Sequence, residues 1–119
     1  MKEKILILGG GFSKEREISL ITAKSVYKEL KKNKNYKILV KEPNGSFVKD
    51  LRKFKPQLVL NLLHGRYGED GYIQAILESE KIKYTHSGVL SSSLAIDKEL
   101  SKKIFIKNKI LTPPYLKFI

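Results

Sequence analysis

Short unbroken apolar runs alternate along this chain with segments whose apolar residues recur every three or four positions. Ile5-Leu6-Ile7-Leu8, set between lysines and Gly9-Gly10-Gly11, predicts a buried central strand leading into a tight turn. Leu20, Ala23, Val26, Tyr27 and Leu30 follow at helical spacing and predict one helix of about four turns lying on the sheet. Ser13 is its expected N-cap, with Glu15 and Glu17 in the first turn and Lys28, Lys31 and Lys32 in the last, the order that complements a helix dipole. Residues 36–40 predict a second strand, Pro43-Asn44-Gly45 a turn, and Phe47, Val48 and Leu51 a short helix. The run at 57–63, nearly all apolar, suits a parallel strand covered on both faces. Ile73, Ile76 and Leu77 place a helix over 72–80, residues 83–85 a short fourth strand, and Ser87-Gly88 the turn out of it. Leu100, Ile104 and Phe105 predict a last helix over 95–108 with Asp97 as N-cap, ended by Thr112-Pro113-Pro114. Residues 115–119 alternate like a strand. The alternation implies an α/β fold: a three-layer α/β/α sandwich, Rossmann-like, with right-handed crossovers and a mainly parallel sheet of about four strands.

At 119 residues the chain has room for one real core, and with 41% apolar and 30% charged residues it has the composition of a globular domain. It lacks both an apolar stretch of the roughly 20 residues that span a bilayer and the apolar block of a signal peptide, so a cytoplasmic protein without a membrane role is expected. The absence of cysteine excludes disulfides, a thiol nucleophile and a cysteine-based zinc site; with only His64 and His86, no metal ligand is assigned to the chain. The formal charge of +12 raises nucleic-acid binding. That charge is scattered and carried by lysine, with only Arg16, Arg52 and Arg66 able to read bases bidentately, which favours solubility and attraction of anionic substrates over nucleic acid.

Two stretches carry candidate chemistry. The third predicted strand empties into Asn61-Leu62-Leu63-His64-Gly65-Arg66-Tyr67-Gly68-Glu69-Asp70-Gly71, and in open α/β sheets ligands sit beyond the carboxyl ends of the strands. The other is the glycine turn at 9–11. A dinucleotide fingerprint would need glycine at 14, where Lys14 stands, although Glu42 is placed to serve as the ribose acid; the phosphate-loop spacing is absent. What remains is a backbone able to approach a small ligand closely, with N–H groups that favour an anion. Glu15 and Glu17 at the same helix start point the other way. A carboxylate there stays ionised and suits a cation such as a substrate ammonium, the alternative being that both only cap the helix.

Gly10-Gly11-Phe12-Ser13-Lys14-Glu15-Arg16-Glu17-Ile18-Ser19-Leu20, His64-Gly65-Arg66-Tyr67-Gly68-Glu69-Asp70-Gly71, Tyr84-Thr85-His86-Ser87-Gly88-Val89 and Asp97-Lys98 together resemble the N-terminal domain of D-alanine–D-alanine ligases, in the family's order and spacing. The resemblance implies a pre-ATP-grasp domain of an ATP-dependent, ADP-forming ligase that joins two D-alanines for peptidoglycan through an acylphosphate. It implies catalytic and substrate-binding roles for Glu15, on the ammonium of the first D-alanine, and for His64, near its carboxylate. Ser87 and Gly88 would line the same side, and Lys98 would reach the nucleotide phosphates. ATP with Mg²⁺ or Mn²⁺ would be held mainly by other domains, and the complete enzyme would be a homodimer. Glu69 and Asp70 are expected to fix the loop as N-cap and turn residues.

The family often has glycine where Tyr67 and His86 stand. Tyr67 is expected to turn outward, and His86 either to narrow the pocket or to face solvent. On this reading residues 1–111 form the substrate-binding domain, 112–119 begin the following ATP-grasp domain, and the 119 residues alone are inactive. Two other readings remain: the first domain of a different ATP-grasp carboxylate–amine ligase, and a non-catalytic anion-binding module.

Overall fold

The computed structural model describes residues 1–118. Three parallel strands, β1 (Glu3–Leu8), β2 (Tyr36–Lys41) and β3 (Leu58–Asn61), form a sheet in the order β2-β1-β3. The helices are α1 (Arg16–Leu30), α2 (Phe47–Phe54), α3 (Tyr72–Ser79), α4 (Val89–Ile96) and α5 (Lys98–Lys107).

The apolar run of β1 is central because both its neighbours pair with it, and Leu6, Ile7 and Leu8 are wholly buried. From β1 the chain crosses by α1 to β2 on one side, then by α2 back to β3 on the other. Right-handed crossovers in opposite directions put α1 and α2 on opposite faces of the sheet. Leu6 and Leu8 face a core completed by Phe47 and Leu51 of α2, Ile73 and Leu77 of α3, and Val59 and Leu63. Ile5 and Ile7 alternate to the other face, where α1 buries the small residues Ser19 and Ala23. This gives the expected three layers.

Several boundaries differ from the sequence-based expectation. The fourth strand is a single parallel bridge between Val59 and Tyr84, held by Val59 N–H to the Lys83 carbonyl (2.9 Å) and Thr85 N–H to that of Val59 (3.0 Å). The helix expected over 95–108 begins at Lys98, with Asp97 capping as expected: its Oδ1 accepts from Leu100 N–H at 3.0 Å. Ala95 and Ile96 instead end α4, a helix whose Ser91-Ser92-Ser93 stretch hides it from propensity. Glu15, not Ser13, occupies the N-cap of α1; Ser13 Oγ accepts from Glu15 N–H (3.1 Å) in the turn before it. Residues 110–118 form neither helix nor strand, since no described strand pairs with the alternating segment; Ile119 lies outside the described residues.

Candidate functional site

A sheet ordered β2-β1-β3 switches direction at β1, and the crevice this opens lies beyond the carboxyl ends of β1 and β3. The two loops that leave those ends are 9–15 and 62–71, the two stretches that carry the candidate chemistry. They are tied together by two serines. Ser19, fully buried on α1, accepts from Gly10 N–H (2.9 Å) and donates to the Leu62 carbonyl (2.6 Å); Ser13 Oγ donates to the His64 carbonyl (2.7 Å). An aromatic row adds to this, with Phe12 edge-on to Tyr67 (6.2 Å between centroids) and Tyr67 tilted on Tyr72 (5.0 Å).

The structure brings Glu15 and His64 together. Gly65, the residue after His64, has φ +73°, and a Cβ there would stand 2.7 Å from Glu15 Oε2. The glycine therefore permits both the left-handed turn and the close approach of the carboxylate. Glu15 is exposed, makes no cap hydrogen bond, and has no ion-pair partner among the described residues. His64 Nε2 is buried with no described partner, and Nδ1 lies 3.9 Å from Glu69 Oε1, beyond hydrogen-bond reach. The Glu15 carboxylate reaches the residue next to His64, and both side chains keep hydrogen-bonding capacity, the carboxylate able to accept from an ammonium and an imidazole N–H able to donate to a carboxylate.

The loop that presents His64 is fixed by its own acids. Glu69 Oε2 accepts from Gly65 N–H (2.8 Å), and Asp70 accepts from Tyr67 N–H (3.0 Å) and Tyr72 N–H (3.2 Å). Gly71 takes the N-cap position of α3 in place of either acid. Behind the loop, Asn61 Nδ2 and Gln74 Nε2 both donate to the Gly68 carbonyl, at 2.8 and 3.0 Å.

A cavity of about 550 Å³ adjoins His64, walled by Glu69, Gln74, His86, Ser87 and Ser92 among others. Of the substrate- and nucleotide-binding residues expected from sequence, His64 and Ser87 line it. Glu15 stands on the Gly65 side, outside the lining; Gly88 serves as N-cap of α4; Lys98 is exposed at the start of α5. Tyr67 and His86 have φ of 71° and 76°, conformations that side chains other than glycine rarely adopt. Tyr67 packs in the aromatic row, and His86 lies on the cavity wall. Ser19, Asn61 and Gln74, buried polar residues that hold the loops, escaped the sequence reading because spacing carries no sign of which polar positions fold inward.

The glycine turn itself is filled from within. Glu42 lies against Gly10, accepts from Gly11 N–H (3.2 Å) and is gripped by Arg16 through Nε (2.9 Å) and Nη2 (2.8 Å). The anion that the turn favours is thus a side chain of the protein, which leaves no ribose role for Glu42. The hydrogen bond from Arg16, with help from Gly11 N–H, outweighs desolvation and holds the Glu42 carboxyl below its ordinary value of 4.5. A depressed carboxyl stabilises the fold fully above its unfolded value and loses that contribution as pH falls through the folded one. Thermal melts should therefore show wild type losing its advantage over Glu42→Gln below about pH 4.5, the ordinary value above. An unchanged difference down to pH 2 would contradict the clamp.

Among the described residues no three His, Cys, Asp or Glu side chains gather as a metal site, and no described helix is long and apolar enough to cross a membrane.

No protein-family model matches the chain. It is 65% identical over 118 residues to D-alanine–D-alanine ligase of Pelagibacter ubique, a match covering 99% of this chain and 38% of the relative. The chain thus spans well under half the length of that curated relative. Among solved structures it is similar to D-alanine–D-alanine ligase of Bacillus anthracis complexed with ATP, with a TM-score of 0.82 and 36% identity over 94% of this chain and 38% of that one. It is likewise similar to D-alanyl-alanine synthetase A of Vibrio cholerae, with a TM-score of 0.85 and 28% identity over 97% and 40%.

Proposed function

We propose, from the premise that this chain is homologous to the N-terminal part of D-alanine–D-alanine ligases, that it supplies the first amino-acid site of such a ligase. The observation that carries the reading is the convergence of Glu15 and His64 at the mouths of β1 and β3. Glu15 holds the ammonium of the first D-alanine, and an imidazole N–H of His64 donates to its carboxylate. Ser87 lines the cavity on the same side, and Gly88 follows it as the N-cap of α4. The two loops hold the substrate's charged ends, so its carboxylate is oriented before it reacts.

The ligase reaction then follows in two transfers. An oxygen of the held carboxylate attacks the terminal phosphorus of ATP, releasing ADP and leaving an acylphosphate. The amine of a second D-alanine attacks the acyl carbon and loses a proton, and inorganic phosphate departs with the carboxylate oxygen, giving the dipeptide used for peptidoglycan. Lys98 reaches the nucleotide phosphates. The described residues gather no site that fits Mg²⁺ or Mn²⁺, so a metal accompanying ATP would be held by the ATP-grasp part. In this reading residues 1–111 are the substrate domain and 112–119 lead into the ATP-grasp part, which binds the nucleotide. The end of α5 at Lys107 and the irregular backbone from 110 support that boundary. The complete ligase is a cytoplasmic homodimer.

His64→Ala in a complete ligase containing this chain should raise KM for D-alanine about tenfold, the loss of one hydrogen bond to a charged group, with KM for ATP unchanged. Steady-state kinetics with each substrate varied measures this. Equal rises for both would mean that His64 acts through folding. ADP release driven by other amines or by D-lactate, and not by D-alanine, would move the assignment to another ligase of the class.

A further inference from the structure

We infer that Gln74 is a positioning residue of the amino-acid site, fixing the loop that presents His64 and accepting a hydrogen bond from an N–H or O–H donor of the molecule that fills the adjoining cavity. This rests on the reading above and extends it to a residue on α3.

Gln74 is 2% exposed and lines the cavity. Its amide has only one workable orientation. The Gly68 carbonyl can only accept, so Nε2 must face it, as the 3.0 Å contact requires. Asn61 completes the arrangement, since its Nδ2 donates to the same carbonyl and its Oδ1 accepts from Leu63 N–H at 3.2 Å. The two amides thereby lock the backbone on both sides of His64 and leave one open end. Gln74 Oε1 is buried and without a partner among the described residues. A buried acceptor without a donor costs the fold about as much as a lost hydrogen bond, and such groups in native proteins are nearly always satisfied. Gln74 lines the cavity, so a molecule that fills it is the partner the inference assigns to this oxygen. His64, whose Nε2 is the other buried side-chain polar atom without a partner among the described residues, belongs to the same lining. An occupant with polar groups toward both satisfies both.

The test uses a complete ligase containing this chain. Gln74→Met keeps the side-chain length but can neither donate to Gly68 nor accept from the cavity. It should raise KM for D-alanine about tenfold and leave KM for ATP unchanged, a split that general loosening of the fold does not produce. Gln74→Glu supplies the second readout. Burial raises the pKa of the introduced carboxyl, and when protonated it donates to Gly68 through one oxygen and accepts through the other. Its KM for D-alanine, relative to wild type at each pH, should recover as pH falls. A folded Gln74→Met with wild-type KM, or with both KM values raised alike, overturns the inference. Should that variant not fold, a Gln74→Glu ratio flat across pH overturns it. Failure of the wild-type ligase to use D-alanine would strike the functional reading instead, which keeps the two outcomes distinguishable.

Discussion

Glu15→Gln in a complete ligase containing this chain should lose roughly ten- to a hundredfold in kcat/KM for D-alanine, corresponding to about 1.5–3 kcal/mol for a hydrogen bond to a charged group. The substitution is nearly isosteric and removes one negative charge. Because Glu15 is exposed, makes no cap hydrogen bond and has no described ion-pair partner, the fold asks little of its carboxylate. Thermal melting should accordingly stay close to wild type while the specificity constant falls. That combination distinguishes a group that holds substrate ammonium from one that only favours the start of α1. Unchanged kinetics would remove Glu15 from the site.

Gly68→Ala should destabilise the chain by about 1–3 kcal/mol, the usual cost of overpacking, and lower D-alanine use with it. Gly68 is buried, and an added Cβ would overlap that of Leu63 and lie 3.2 Å from its carbonyl carbon. Neither neighbour can swing aside, as a long side chain would. The Gly68 carbonyl is also held by Asn61 and Gln74, so the loop cannot shift without breaking those bonds. Gly45→Ala is the control: beyond its chain neighbours no heavy atom of the described residues lies within 4 Å of its would-be Cβ, and urea unfolding should place it near wild type. Equal stability of the two variants would contradict the packing argument.

The elements were legible wherever burial imposed a strong period. β1 with its unbroken apolar run and α3 with Ile73, Ile76 and Leu77 on one side fall where the pattern puts them, and the parallel sheet follows from their alternation. Weak patterns failed in ways that physics explains. Residues 83–85 have a sheet edge to join but make only one bridge, and the serines of α4 offered no helical propensity to read. The site was partly legible. Glycines flanking charged residues after two strands marked both loops, and the positive φ of Tyr67 and His86 is a backbone conformation that glycine adopts more freely than either residue. The turn at 9–11 misled, because backbone N–H groups that invite an anion do not say whether the anion is a ligand or Glu42. The contacts from Ser19, Asn61 and Gln74 were out of reach, since each depends on which atoms the fold brings within 3 Å or so of a buried carbonyl.

The most direct measurement is a crystal structure of a complete ligase containing this chain, grown with D-alanine. The account predicts the amino-acid nitrogen within hydrogen-bond distance of the Glu15 carboxylate and its carboxylate facing the His64 imidazole. D-alanine bound elsewhere, with Glu15 and His64 both facing solvent, would contradict it.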